Sequence, residues 1–464
     1  MGKLQKLNAL PLARRVAAYA GLVFVALLLM YGIGRPIQIW MGNFYDGERA
    51  PYLQMPSPTA VTLRWQTADP EQGVLRFGLA PDRLEEVVEE AGVRKEHELR
   101  VTGLKPGTRY YYSIGNRQGV RYSGPDYWFV TPWLAGSVAS LRLAVLGDPG
   151  YAGEQHLAIR DHLLEWGAAH PRPGRPAFDM ILTTGDNAYR SGTNEQFQDN
   201  FFDVYARIFP NTPVWPAYGN HDARRWAFFR IFSLPEQAES GGVPSATEHY
   251  YSFDNGELHV VMLDSFDGAH DPDDDMLQWL RRDLAANTRK WTIAVFHHPP
   301  YSKGSHDSDD GYDSRGRMFH VRENVLPVLE EYGVDLVLTG HSHSYERSRL
   351  IDCHYGTSDT FIANMVVDAG VKDAAGITTY RKSTGSGSHQ GALYAVVGST
   401  AKLNTRPTLN HPVMDVGLLE YGALIVDVDG DTLTGRFITD AGQVKDHFVL
   451  VKDRDSPAFV SPCH

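Results

Sequence analysis

Five short stretches of the chain place metal-binding side chains directly after an apolar run of strand type. They are Gly147-Asp148-Pro149-Gly150, Gly185-Asp186-Asn187-Ala188-Tyr189, Gly219-Asn220-His221-Asp222, Phe296-His297-His298-Pro299 and Gly340-His341-Ser342-His343. The runs before them are Leu141 to Leu146, Met180 to Thr184, Val214 to Tyr218, Trp291 to Phe296 and Val334 to Thr339. A lone Asp, Asn or His at such a place is ordinarily a cap or a turn residue. Five in series point to a shared purpose, a site for two metal ions.

The donor set supports that reading. Asp148, Asp186, Tyr189 and Asn220 offer hard oxygens, and His297, His341 and His343 offer imidazole. This mixture suits Fe, Mn or Zn and argues against an all-oxygen Ca or Mg cage. In His341-x-His343, extended residues two apart point alike, so one loop can serve two adjacent ions. The carboxylate of Asp186 can bridge them. Two ions about 3.5–4 Å apart lower the pKa of a bound water and align its attack on a bound ester, the metal-bound hydroxide acting as nucleophile. The leaving alkoxide then needs a proton or a nearby positive charge, and His221 and His306 are the candidates because imidazole titrates near working pH. His298 reads as a supporting or packing residue. Arg190, Arg224, Arg225 and Arg347 match phosphate geometry but read more simply as solvated or ion-paired. His156, His162, His170, His259, His320 and His354 lack the motif context and read as structural.

Such residues need elements that aim them at one point. In an open α/β sheet, ligands gather at the carboxyl ends of the strands. From position 139 to 454 strands alternate with helical stretches at Glu154 to His170, Asn194 to Ile208, Asp275 to Asn287 and Val321 to Tyr332, an α/β pattern. Asp359 to Gly370, Ala392 to Gly398 and Tyr421 to Phe437 read as strands of a second sheet. The acidic stretch from Asp271 to Asp275 and the Gly385-Ser386-Gly387-Ser388 run read as surface loops. Positions 47 to 132 show short alternating strands separated by turn residues, the pattern of an all-β sandwich. With an inward Trp65 and the segment Leu104-Lys105-Pro106-Gly107-Thr108-Arg109-Tyr110, this region resembles a fibronectin type III-like domain, and its tyrosine resembles a tyrosine corner. Residues 455 to 464 form a tail.

The 464 residues exceed what one core usually organises, so two folded domains are expected. A formal net charge of -12 argues against duplex nucleic acid as a partner, whereas a small phosphate ester is compatible with it because bound metals dominate the local field. Cys353 and Cys463 are too few for a disulfide scaffold and lack Cys-x-x-Cys spacing; one bridge or two free thiols are both open. In residues 1 to 36, Lys3, Lys6, Arg14 and Arg15 precede an apolar run from Val16 to Ile33. This reads as a secretory signal or, in preference, a single membrane anchor with a cytoplasmic N-terminus, the remainder being exported to the periplasm or outside the cell.

Taken in order, the motifs resemble the calcineurin-like metallophosphoesterases, and specifically the purple acid phosphatases. Tyr189, three residues after Asp186, is the discriminating feature. The likeness covers roughly Leu141 to Phe448, including Trp291 through Tyr301 and Gly340-His341-Ser342-His343-Ser344-Tyr345-Glu346-Arg347. It implies a four-layer αββα sandwich. It also implies that Asp148, Asp186, Tyr189 and His343 hold Fe(III), while Asp186, Asn220, His297 and His341 hold a divalent Fe, Zn or Mn. Asn220, His221 and His306 would contact the substrate, His306 standing nine residues after His297 as a histidine does in plant-type members. The chain departs from that pattern at Asp307, where a second histidine is common, at Asp222 in place of Glu, and at His298 directly after His297.

The expected function is hydrolysis of phosphomonoesters. A phosphodiesterase or nucleotide pyrophosphatase on the same site is the alternative within enzymes, and a non-catalytic cell-surface binding protein is the alternative outside them. The physiological substrate and the oligomeric state are open.

Overall fold

A computed structural model describes residues 16, 19–21, 23–25, 41–224, 227–268, 271–383, 388–405, 408–456 and 458–463. The expected signal or anchor segment therefore lies largely outside the described residues, and so does most of the Gly-Ser run at 385–388. Among the described residues no helix is long and apolar enough to cross a membrane.

Two sheets carry the larger domain. The first runs, edge to edge, through Val214–Pro216, Met180–Thr183, Leu141–Leu146, Gly422–Asp429, Thr432–Thr439, Val444–Asp453, Thr378–Ser383 and Val371–Lys372. The second runs through Tyr251–Asn255, Leu258–Met262, Trp291–Val295, Leu336–Thr339, Leu393–Val397, Tyr345–Ser348 and Met414–Leu418. Strand periodicity sorts side chains between faces. Trp291, Ile293 and Val295, with Leu336 and Leu338, join the core between the sheets. Their neighbours Ala294, Phe296 and Val337 instead pack with Met276, Leu277, Leu280, Val328 and Leu329 from the helices Asp275–Ala286 and Leu326–Glu331. On the far side, Ile159 and Leu163 of the helix Glu154–Ala169 cover the first sheet. Strands buried on both faces read as unbroken apolar runs, which is why they stand out in the sequence.

Four elements differ from the sequence reading. Tyr421 to Phe437, expected in a second sheet, forms Gly422–Asp429 and Thr432–Thr439 of the first, the former paired antiparallel with Leu141–Leu146. The helix expected from Asn194 to Ile208 is regular only over Asn194–Phe197 and widens into a π-helical turn at Gln198–Phe202. There Arg49 bonds Asn194 Oδ1 at 2.6 Å and Gln198 Oε1 at 2.8 Å. In the helix expected from Val321 to Tyr332, Val321–Val325 is likewise a π turn. The strand expected from Asp359 to Gly370 is mostly two 3-10 turns, Ser358–Thr360 and Ala363–Met365, with only Val366–Asp368 paired. Here Thr357 Oγ1 donates to Asp359 Oδ1 and Thr360 Oγ1 donates to the Thr357 carbonyl, local bonds that compete with a ladder.

The smaller domain is a β-sandwich of Arg49–Ser57, Ala60–Glu71 and Arg94–Thr102 against Glu86–Glu89, Val74–Gly78, Arg109–Gly115 and Val120–Tyr122, with Trp128–Val130 also paired to Arg109–Gly115. Trp65 is buried in its core, and the Tyr110 phenol oxygen accepts from the Lys105 N–H at 3.0 Å, fixing the turn between them. Its first strand lies on the larger domain. Tyr52 donates to the Ile231 carbonyl at 2.6 Å, and Gln54 donates to the Val214 carbonyl at 2.7 Å while accepting from Ser233 N at 2.9 Å.

Candidate metal centre

The five motifs meet at the carboxyl ends of their strands. Asp148, Asp186 and His341 adopt left-handed backbone, with φ of 54°, 54° and 65°. Such conformations cost on the order of 1 kcal/mol each and turn the chain sharply as it leaves a strand. The preceding glycines are needed for close approach. A Cβ at Gly219 would lie 2.1 Å from Asp186 N, and one at Gly340 would lie 2.4 Å from Asp148 Oδ2.

On one side, the Tyr189 hydroxyl lies 3.0 Å from Asp148 Oδ1 and 3.2 Å from His343 Nε2, which is itself 3.7 Å from Asp148 Oδ1. On the other, Asn220 Oδ1 lies 3.0 Å from His297 Nε2, which is 3.2 Å from His341 Nδ1 and 3.4 Å from Asp186 Oδ1. Asp186 stands between the two groups, and its Oδ1 also accepts from His221 N at 2.8 Å. Ligand atoms of Asp148, Asp186 and His297 lie within 4.8 Å of one another.

Proton positions in this cluster follow from the partners. His297 Nδ1 faces the Thr184 carbonyl at 2.8 Å, an acceptor only, so Nδ1 carries the proton and Nε2 presents a lone pair. His341 Nε2 lies 2.6 Å from Ser314 Oγ, whose own proton goes to Asp313 Oδ1 at 2.8 Å. His341 therefore donates from Nε2 and presents a lone pair at Nδ1. Two bare nitrogens and the Asn220 carbonyl oxygen thus face each other with no proton among them. Burial, partly offset by Asp186, pushes the His297 pKa down, and burial with the neighbouring histidines pushes His341 well down, so neither ring takes up a proton to relieve the contact. A cation fits this arrangement. Burial and the Asp186 charge likewise push Asp148 well up, and burial and the charges of Asp148 and Asp186 push Tyr189 well up, shifts that a bound cation would reverse.

Two histidines flank the cluster. The His221 ring meets Tyr189 edge-on at 4.5 Å; its Nδ1 donates to the Arg190 carbonyl at 2.7 Å, and its Nε2 is 3.8 Å from Asp186 Oδ2. His306 stacks on His341 at 3.9 Å and donates from Nδ1 to Asp313 Oδ1 at 2.8 Å. His298 is buried between Phe266 and His341, its Nδ1 2.9 Å from Ser265 Oγ. Asp307 turns to Lys303, at 2.5 Å. Buried Asp222 is a cradle for the loop: its carboxylate accepts from Asn187 N, Asn187 Nδ2, Ala188 N and Gly219 N. Arg347 lies elsewhere, buried against Asp446.

The sequence reading missed Ser314, Asp313 and Lys402. The first two sit in a run of Asp, Ser and Gly that has no fixed spacing to His341, and Lys402 places Nζ 3.8 Å above the Tyr189 ring. A cleft of about 550 Å³ opens beside Tyr189 and His221, walled by Tyr151, Arg190, Lys402 and Tyr421.

Comparison with known proteins bears on the fold and the family. The calcineurin-like phosphoesterase family model matches residues 141–345, and the purple acid phosphatase N-terminal domain model matches residues 50–131. Purple acid phosphatase 15 of Arabidopsis thaliana is 30% identical over 294 residues, covering 55% of this chain and 50% of that protein. Acid phosphatase type 7 of Homo sapiens is 27% identical over 356 residues, covering 69% and 75%. The chain spans about half the length of the Arabidopsis relatives it matches. In fold it is similar to purple acid phosphatase PPD1 from yellow lupin seeds, with a TM-score of 0.65 at 18% identity, covering 87% of this chain and 75% of that one. PhoD gives a TM-score of 0.59 at 13% identity, covering 89% and 92%. Residues 141–345 thus resemble a calcineurin-like phosphoesterase domain, and residues 50–131 a purple acid phosphatase N-terminal domain.

Proposed function

We propose that this protein is a dinuclear-metal phosphatase that hydrolyses phosphomonoesters. The observation that carries the proposal is the close contact of His297 Nε2 with Asn220 Oδ1 at 3.0 Å and with His341 Nδ1 at 3.2 Å, where the partners Thr184 and Ser314 place the ring protons on the opposite nitrogens. In this reading Asp148, Asp186, Tyr189 and His343 hold one ion, Fe(III), and Asp186, Asn220, His297 and His341 hold a divalent Fe, Zn or Mn. Once bound, the two ions would supply phosphoryl polarisation and an activated water aligned for in-line attack.

The chain's own residues do the rest. Thr184 and Ser314 fix the tautomers of His297 and His341, so both rings present lone pairs without rearrangement. His221 and His306 each commit Nδ1–H to an acceptor, which leaves Nε2 to hold a proton for the departing oxygen. They stand on opposite flanks, one against Tyr189 and the other against His341. The cations Arg190 and Lys402 in the adjoining cleft favour an anionic substrate despite the acidic chain.

The test is turnover of p-nitrophenyl phosphate against bis-p-nitrophenyl phosphate by metal-replete protein, with metal analysis. About two ions per chain and preference for the monoester are expected; hydrolysis of the diester alone would overturn the monoesterase assignment. The basic and apolar N-terminal sequence further supports export with retention at a membrane. Cell fractionation tests this, and recovery with cytosolic markers refutes it.

A further inference from the structure

A second cluster of metal-binding side chains closes around the C-terminal tail, apart from the seven residues above. Cys353 and Cys463 are disulfide-bonded across a Cα–Cα distance of 5.6 Å, joining positions 110 residues apart. Asp352 and His389 stand against the same sulfurs, and one ligand atom from each of the four residues lies within 4.8 Å of the others. The Asp352 carboxylate is fully buried; Oδ1 is 3.2 Å from His389 Nδ1, and Oδ2 accepts from the Ser461 hydroxyl at 2.6 Å.

A disulfide needs neither a carboxylate nor an imidazole beside it, yet both stand here, the buried carboxylate held by His389 and Ser461. Two thiolates, an imidazole and a carboxylate are, by contrast, a tetrahedral donor set for zinc. With bonds of about 2.3 Å to sulfur and about 2.0–2.1 Å to nitrogen and oxygen, neighbouring ligand atoms in such a site stand roughly 3.3–3.8 Å apart. Asp352 Oδ1 and His389 Nδ1, 3.2 Å apart, already stand close to that spacing, and the two sulfurs, joined in the disulfide, move apart to it once their bond is broken. The tail is also held independently of its sulfur: Phe459 N donates to Gln390 Oε1 at 3.0 Å, and Ser461 bonds Asp352. Opening the disulfide therefore leaves the four side chains in reach of one another.

We propose that Asp352, Cys353, His389 and Cys463 form a site for one zinc ion when the cysteines are reduced, so that the tail is clipped by a disulfide in one state and by a metal in the other. The interconversion is balanced. A dithiol reductant gives two electrons and two protons to the sulfur–sulfur bond, which breaks into two thiols as the reductant becomes a disulfide. Zinc then displaces the two thiol protons. The site does not depend on the phosphatase reading.

The test titrates the metal-free full-length protein, oxidised or reduced with a dithiol that is then removed, with Co²⁺ as a spectroscopic substitute for zinc. The centre around Asp186 has no thiolate, so sulfur-to-cobalt charge transfer in the near ultraviolet reports on the tail alone. The expected result is that band in the reduced protein only, one additional ion per chain, and bleaching of the band by zinc. Cys463→Ser, which leaves Cys353 as the one thiolate, should cut the band by half or more, and His389→Ala should weaken cobalt binding at least tenfold. No band in the reduced protein, an equal band in Cys463→Ser, or unchanged affinity in His389→Ala would overturn the four-ligand site.

Discussion

Ser314 Oγ lies 2.6 Å from His341 Nε2 and passes its own proton to Asp313, so a serine from a surface loop decides which nitrogen of a buried histidine is bare. Removing the hydroxyl frees the imidazole to turn or change tautomer. Ser314→Ala is expected to lower affinity for the divalent ion about 10–100-fold. Metal titration of the apo protein checks this, and unchanged affinity would show that packing alone orients the ring.

Tyr189 is the residue on which the iron reading turns. Tyr189→Phe should remove visible absorption of the iron-loaded protein while circular dichroism stays as in the parent. A variant that keeps its colour would exclude this phenol as the chromophore.

If His221 and His306 supply a proton to the leaving oxygen, their value depends on how much that oxygen needs one. For an alkyl phosphate, each alanine variant should lose about 100-fold or more in kcat, within the span of general acid catalysis. For p-nitrophenyl phosphate, whose phenolate leaves unassisted, the loss should be under about tenfold. Equal losses on both esters would assign these histidines to binding.

His259 gives a pH dependence independent of any metal. Its ring is clamped between Asp254 and Asp283, each at 2.8 Å, so both nitrogens donate. Burial lowers its pKa, but the two carboxylates outweigh burial and raise it from 6.5 to about 9. Because the folded value is the higher one, the stabilisation is complete below about pH 6.5 and is lost as pH rises through about 9. It is on the order of 3 kcal/mol. Melting temperature measured across that window should fall more steeply for the parent than for His259→Gln; parallel curves would refute the clamp.

The sequence by itself determined which residue types stand where strands end, and hence that oxygen and imidazole donors could converge, because strands buried on both faces are legible as apolar runs and the motifs follow them at once. It also marked Trp65 as core and the β-sandwich strands by their alternation. It did not place the 359–370 segment, where local side-chain bonds defeat the ladder. Nor could it choose between a bridge and free thiols at Cys353 and Cys463, which depends on two Cα atoms 110 residues apart arriving within 5.6 Å. Proton placement was the deepest omission. The lone pairs of His297 and His341 point at each other only because Thr184 and Ser314 take the opposite nitrogens. Those contacts join residues 113 and 27 positions apart with no periodic spacing, so only the folded chain decides them.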